Sequence, residues 1–128
     1  NTLIPWGEET IIPEIYQWVK AGQEMGLKFC IVSNGSFKRI CHFASQFGML
    51  AAPKRGKPLS RAFKSAMIAL GGNQHNTAVI GDQIFTDIFG GNRLNLYTIL
   101  VEPISKREFI GTRLMRFFEK TIAKRRKP

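Results

Sequence analysis

Four short apolar runs, separated by segments of helical period, constrain this chain more than any other feature. They are Leu27–Val32, apolar apart from Lys28, then Met49–Ala52, Thr77–Ile80 and Tyr97–Val101. Runs this short and this continuous suit strands covered on both faces. The segment Ile11–Met25 reads as a helix. Pro13 sits in its first turn, Ile15, Trp18, Val19 and Met25 recur near helical spacing, and Gly26 is a stop. Ser33-Asn34-Gly35-Ser36 is a turn that ends on an N-cap residue. A second helix follows over Phe37–Phe47, with Ile40, Phe43, Ala44 and Phe47 on one side and Gly48 at its end. Pro58–Leu70 reads as a third helix closed by Gly71-Gly72, and Ile84–Phe89 as a short one closed by Gly90-Gly91. Strands that alternate with helices predict an α/β domain with a parallel sheet between helical layers.

A chain of 128 residues with 44% hydrophobic content supports one core and not two. The expected division is a core over 1–103 and a basic amphipathic helix and tail over 104–128. No apolar run approaches the roughly 18 residues a bilayer span needs, and no charged segment followed by an apolar one opens the sequence as a secretory leader does. The two cysteines, Cys30 and Cys41, lack metal-ligand spacing and read as free thiols of a reducing compartment. The expected location is therefore cytoplasmic. The net charge of +10 is uneven: from Lys106 to Lys127, nine Lys or Arg face two Glu.

The chemistry-bearing stretch is Gly81-Asp82-Gln83-Ile84-Phe85-Thr86-Asp87, directly after the run that ends at Ile80. Parallel α/β sheets place their ligands outside the carboxyl ends of strands. Two Asp side chains there make a hard oxygen site suited to Mg²⁺. A second strand end carries Ser33-Asn34, and a loop before a helix start carries Lys54, Arg55 and Lys57. A hydroxyl, an ammonium and a carboxylate pair at separate strand ends are what a phosphate–Mg²⁺ site requires. Plainer readings stand beside this one. Asp82 and Asp87 can be a cap and a solvated acid, Ser33-Asn34 a simple turn, and Lys57 a surface charge. Lys54 and Arg55 read as solvated, His42 and His75 as surface or packing residues, and Trp6 and Trp18 as packing.

Taken together these features resemble the haloacid dehalogenase (HAD) phosphohydrolase superfamily, and within it the YqeG-like group of subclass IIIA phosphatases. Asn1-Thr2-Leu3 is similar to the last three residues of the group's Asp-x-Asp-Asn-Thr-Leu motif. Val32-Ser33-Asn34 resembles its second motif, Lys57 in Gly56-Lys57-Pro58 its third, and Asp82 with Asp87 its fourth. Gly90-Gly91-Asn92-Arg93 and Tyr97–Val101 also look like this group. The resemblance implies a three-layer Rossmann-like fold without a cap domain, and Mg²⁺-dependent phosphomonoester hydrolysis through an aspartyl-phosphate. It implies that Asn1, Thr2, Ser33, Asn34 and Lys57 bind phosphate, with Lys57 catalytic, and that Asp82 ligates the metal with Asp87 in support.

The family's Asp pair falls just ahead of Asn1. This chain is expected to lack both the nucleophile and the strand that carries it, a central strand lying between Leu27–Val32 and Thr77–Ile80. The expectation is thus an inactive, poorly folding chain and an active intact protein. The spacings Leu3 to Ser33 and Ser33 to Lys57, about 30 and 24 residues, leave no room for a cap of domain size. An open site suits a large or surface-presented substrate. Phe109, Ile110, Leu114, Phe117, Phe118 and Ile122 mostly recur at helical spacing between Arg and Lys residues. Such a helix reads as a membrane-surface element or as a stripe packed on the sheet. With the resemblance, it favours phosphatidylglycerophosphate as substrate and peripheral contact at the inner membrane surface. No stacking platform or RNA-binding motif points to nucleic acid. A soluble phosphatase for sugar or nucleotide phosphates is the second reading. A basic, non-catalytic binding module on the same scaffold is the third.

Overall fold

The computed structural model describes residues 2–3, 11–52 and 60–104. Helix α1 spans Pro13–Glu24, with Pro13 where its missing N–H costs nothing, and Gly26 turns the chain away at φ 89°. Strand β1 is Cys30–Ile31 and α2 is Phe37–Phe47. Helix α2 starts as its sequence requires: the Ser36 hydroxyl accepts from the Arg39 amide, and Gly48 closes it in the left-handed conformation. Ile40, Phe43, Ala44 and Phe47 are its buried residues, the same four the spacing selects. Strand β2 is Leu50–Ala51, α3 is Ser60–Ala69, β3 is Ala78–Gly81 and β4 is Tyr97–Leu100. Between β3 and β4 lie a single π-helical turn, Ile84–Ile88, and a short helix, α4, Phe89–Arg93.

All strand pairing among the described residues is parallel. Cys30 and Ile31 lie opposite Leu50 and Ala51, and Ala78 to Gly81 lie opposite Tyr97 to Leu100. Among the described residues these are two separate two-stranded sheets rather than one. The expected strand over Leu27–Val32 is therefore only two residues long. Its single described neighbour, β2, is equally short, and Leu27 is left exposed. Two positions read as core from spacing are also exposed. Met25 is 83% accessible, and Trp18, at 55%, only leans edge-on against Phe29. Val19 instead carries α1 into the core, with Phe43 and Phe47, against Leu3, Ile11, Ile15, Phe29, Ile31 and Met49.

Helices α1 and α2 thus cover the face of the sheet that Phe29 and Ile31 present. The opposite face belongs to α3 and α4. Gly90 and Gly91 do not stop the fourth helix as expected but lie within it. A Cβ on Gly90 would fall on the Phe63 ring, and one on Gly91 would meet Thr98 and Val79. Bare backbone is what lets α4 press simultaneously on α3 and on the β3–β4 sheet. Where the two half-sheets face one another there is a cavity of about 100 Å³. Cys30 and Val32 line one side and Thr77 to Ile80 the other, with Phe63 and Ala66 of α3 across it.

Burial pushes the Cys30 thiol up to about 11 from its ordinary 9.0. The thiolate is the reactive form, so at pH 8 its population is about 100-fold below that of an unperturbed thiol. Iodoacetamide should modify Cys30 about 100-fold more slowly in the folded chain than in urea, with the rate rising toward pH 11. Equal rates, read by mass spectrometry, would show that the cavity wall is open to solvent.

Candidate active site

Strand β3 delivers its last residue, Gly81, into the interior, and the chain then turns. Asp82 and Asp87 are both buried, at 6% and 4% accessibility. Buried carboxylates need compensating polar partners. The π-helical turn supplies one from its own backbone, to Asp87. Asp87 accepts the Gln83 backbone N–H at 3.2 Å, while the amides of Asp87 and Ile88 both donate to the Gln83 carbonyl, at 2.9 and 3.3 Å. The widened turn therefore brings Asp87 back over the start of its own loop. Its carboxylate lies on Gly81 so closely that no Cβ fits there. Single π turns of this kind recur at functional sites.

Thr2 reaches the same place from the other end of the chain. Its hydroxyl donates to Asp82 Oδ1 at 2.9 Å. The next residue, Leu3, packs with Val19, Phe43 and Phe47. The Thr2–Leu3 step thus bridges the α1–α2 core and the β3 half of the molecule. Val32, which leads into Ser33, lines the same cavity as Asp87. The Ser33 hydroxyl oxygen accepts from the Gly35 amide at 3.1 Å, which fixes the turn and does not use the hydroxyl hydrogen. Asn34 is exposed in that turn. Lys57, Asn1, Lys54 and Arg55 lie outside the described residues, as do Trp6 and the tail from 105 onward.

Two further residues of the turn, Gln83 and Thr86, prove structural. Thr86, buried, donates its hydroxyl to Gln83 Oε1 at 2.7 Å. Gln83 is thereby held through backbone and side chain, and it sits between the two acids. A hydroxyl three residues after an amide on a turn was the available signal. His42 and His75 are exposed, in keeping with surface roles.

The donors at the turn are hard oxygens, from Asp82 and Thr2 with Asp87 behind. The thiol in the cavity wall is held neutral and is a poor ligand. Among the described residues no group of three or more His, Cys, Asp or Glu could form a full protein cage. Mg²⁺ does not need one: it is commonly held by one or two carboxylates, with waters and substrate oxygens completing its octahedron. The residues present fit that ion.

Residues 3–95 match the haloacid dehalogenase-like hydrolase family. The chain belongs to that family. It is 35% identical to the probable phosphatase YqeG of Bacillus subtilis (strain 168) over 122 residues, 95% of this chain and 71% of that protein. Its fold resembles a HAD phosphatase from Thermococcus onnurineus, with a TM-score of 0.65 at 15% identity, covering 79% of this chain and 51% of that one. It also resembles the β-phosphoglucomutase of Clostridium difficile, with a TM-score of 0.58 at 17% identity, covering 88% and 58%. The chain thus spans about half the length of the Thermococcus structure. Between the described strands of this HAD domain stand one or two short helical segments, and no cap is evident among the described residues.

Gly81→Ala should test the packing of Asp87. Overpacking of this kind costs about 1–3 kcal/mol. The melting temperature should fall accordingly, because the Asp87 carboxylate is displaced. A Gly81→Ala protein with an unchanged melting temperature would show that the acid does not rest on this glycine.

Proposed function

We propose that the intact protein hydrolyses phosphomonoesters with Mg²⁺ through an aspartyl-phosphate, and that its substrate is an anionic phospholipid such as phosphatidylglycerophosphate. The observation that carries the reading is the hydrogen bond from Thr2 to Asp82, two residues 80 positions apart. In this reading it joins a segment similar to the end of the first family motif to one similar to the start of the fourth, at the carboxyl end of β3.

In this reading the nucleophilic carboxylate comes from a strand running directly into Asn1, between β1 and β3. It attacks phosphorus in line with the leaving alcohol. A second carboxylate, adjacent to Asn1, protonates that alcohol and then takes a proton from the hydrolytic water. The Ser33 hydroxyl donates to a phosphoryl oxygen. Asn1, Thr2 and Asn34 add polar contacts around it, and the Lys57 ammonium neutralises equatorial charge. Asp82 holds the metal, with Thr2 fixing the rotation of its carboxylate, and Asp87 keeps the Asp82–Gln83 backbone in place. Bound Mg²⁺ would supply charge stabilisation at the phosphoryl oxygens.

The lipid reading is supported by the short helical connections, with no cap evident among the described residues, and by the nine cations of the tail. Each cation near an anionic surface contributes about 1 kcal/mol. Full-length Asp82→Ala should lose Mg²⁺-dependent p-nitrophenyl phosphate turnover by roughly 10²-fold or more, the scale for one lost electrostatic stabiliser. Retained turnover would remove Asp82 from the site. Sedimentation with phosphatidylglycerol vesicles, weakening as salt rises, is expected for a lipid substrate and not for a soluble one.

A further inference from the structure

Among the described residues the β3–β4 sheet has one covered face and one bare face. Val79 and Thr98, paired in register, press on Gly91 of α4. Their neighbours along each strand point the opposite way. These are Ala78 opposite Tyr97 and Ile80 opposite Ile99. All four are exposed, Tyr97 at 72% and Ile80 and Ile99 at 38% each. They lie on the side occupied by α1 and α2, since α3 and α4 share the other. Parallel sheets in α/β proteins are covered on both faces, and these four residues bring no charge to the surface they form.

We propose that residues 108–124 of this same chain form a helix that covers this face. Ile110, Leu114, Phe117, Phe118 and Ile122 follow the spacing i, i+4, i+7, i+8, i+12, the apolar stripe of a helix that packs on one side. Arg116 and Lys120 fall on the opposite side. From Ile110 to Ile122 such a helix measures about 18 Å, and the four-residue strands beneath it about 13 Å. The described chain ends at Ile104, four residues beyond β4, so the stripe is tethered beside the face it would cover. A tether this short gives an effective concentration in the millimolar range, which favours the chain's own stripe over a second copy. The helix would spend its apolar residues on the sheet, and its cations would face outward. Any attachment to an anionic surface would then be electrostatic and would not insert Phe117 or Phe118 into lipid. This inference does not depend on the catalytic reading above.

The test places the photo-reactive residue p-benzoylphenylalanine at position 97 of the full-length protein, where the side chain is exposed. After irradiation, peptides are mapped by mass spectrometry, with and without phosphatidylglycerol vesicles. The expected product is an intramolecular cross-link to residues 110–122 under both conditions. Phe117→Glu should reduce its yield several-fold, whereas Arg116→Glu should leave it unchanged. Cross-links to a second copy, cross-links to lipid in place of the tail, or no cross-link to the tail would each overturn the proposal.

Discussion

Backbone hydrogen bonding along the facing edges of β1 and β3 is the constraint on which the rest of the molecule depends. Among the described residues each strand pairs on one side only, β1 with β2 and β3 with β4. A polar backbone edge that borders an interior must find partners, because each unmet group costs about as much as a lost hydrogen bond. The space between the edges is lined largely by apolar side chains, among them Val32, Phe63, Ala66 and Val79, with Thr77 and Asp87 also on its wall. The two half-sheets are instead held together around the gap. Helix α3 crosses one face, touching α4 through Phe63 and Gly90. The Thr2–Leu3 step spans the rim, one residue on Asp82 and the next in the α1–α2 core.

The same geometry explains why charge can gather at that rim. Two buried carboxylates five positions apart each carry a desolvation cost that polar partners must offset. The π-helical turn answers with the Gln83 backbone N–H and with a glycine, Gly81, that allows close approach, so Asp87 is positioned by the loop that carries it. Thr2 then sets Asp82 from across the chain. A site assembled this way is stiff where the acids sit and depends on distant segments for its remaining parts. That arrangement suits chemistry in which positioning and electrostatics dominate.

Much of this was legible in the residues. The second helix shows why. Its cap at Ser36, its left-handed stop at Gly48 and its four buried positions are all local consequences of side-chain type, and local rules suffice for them. Position 18 shows the limit. Trp18 has the right spacing for the core, but a helix face of finite width buries only what its neighbours can receive, and Phe29 receives it edge-on at the rim. Gly90 and Gly91 show another. Two glycines after a short helix read as a terminator, yet here the close approach of α3 and the sheet requires them inside a helix, a tertiary demand invisible to local propensity. The acid pair was legible as a pair because motif spacing on a strand-leaving turn is local. The hydrogen bond from Thr2 joins residues 80 positions apart, and it follows only from the fold.

Position at the junction of two half-sheets gives the site a further property. Thr2 and Asp82 meet there, and Val32 and Asp87 share one cavity wall, so a ligand drawing on both sides binds only when the halves are in register. Such a ligand favours the folded over the unfolded chain by RT ln(1 + [L]/Kd), about 2.7 kcal/mol at a hundredfold excess over Kd. Stability and occupancy are therefore linked in this architecture. A strand seated between β1 and β3 would act in the same sense, since it would satisfy both open edges and bring its carboxyl end to Asp82. One location thus serves the fold's largest hydrogen-bonding demand and its chemistry together. In a parallel α/β sheet, the strand that completes the ladder is also the strand whose tip arrives at the centre of the site.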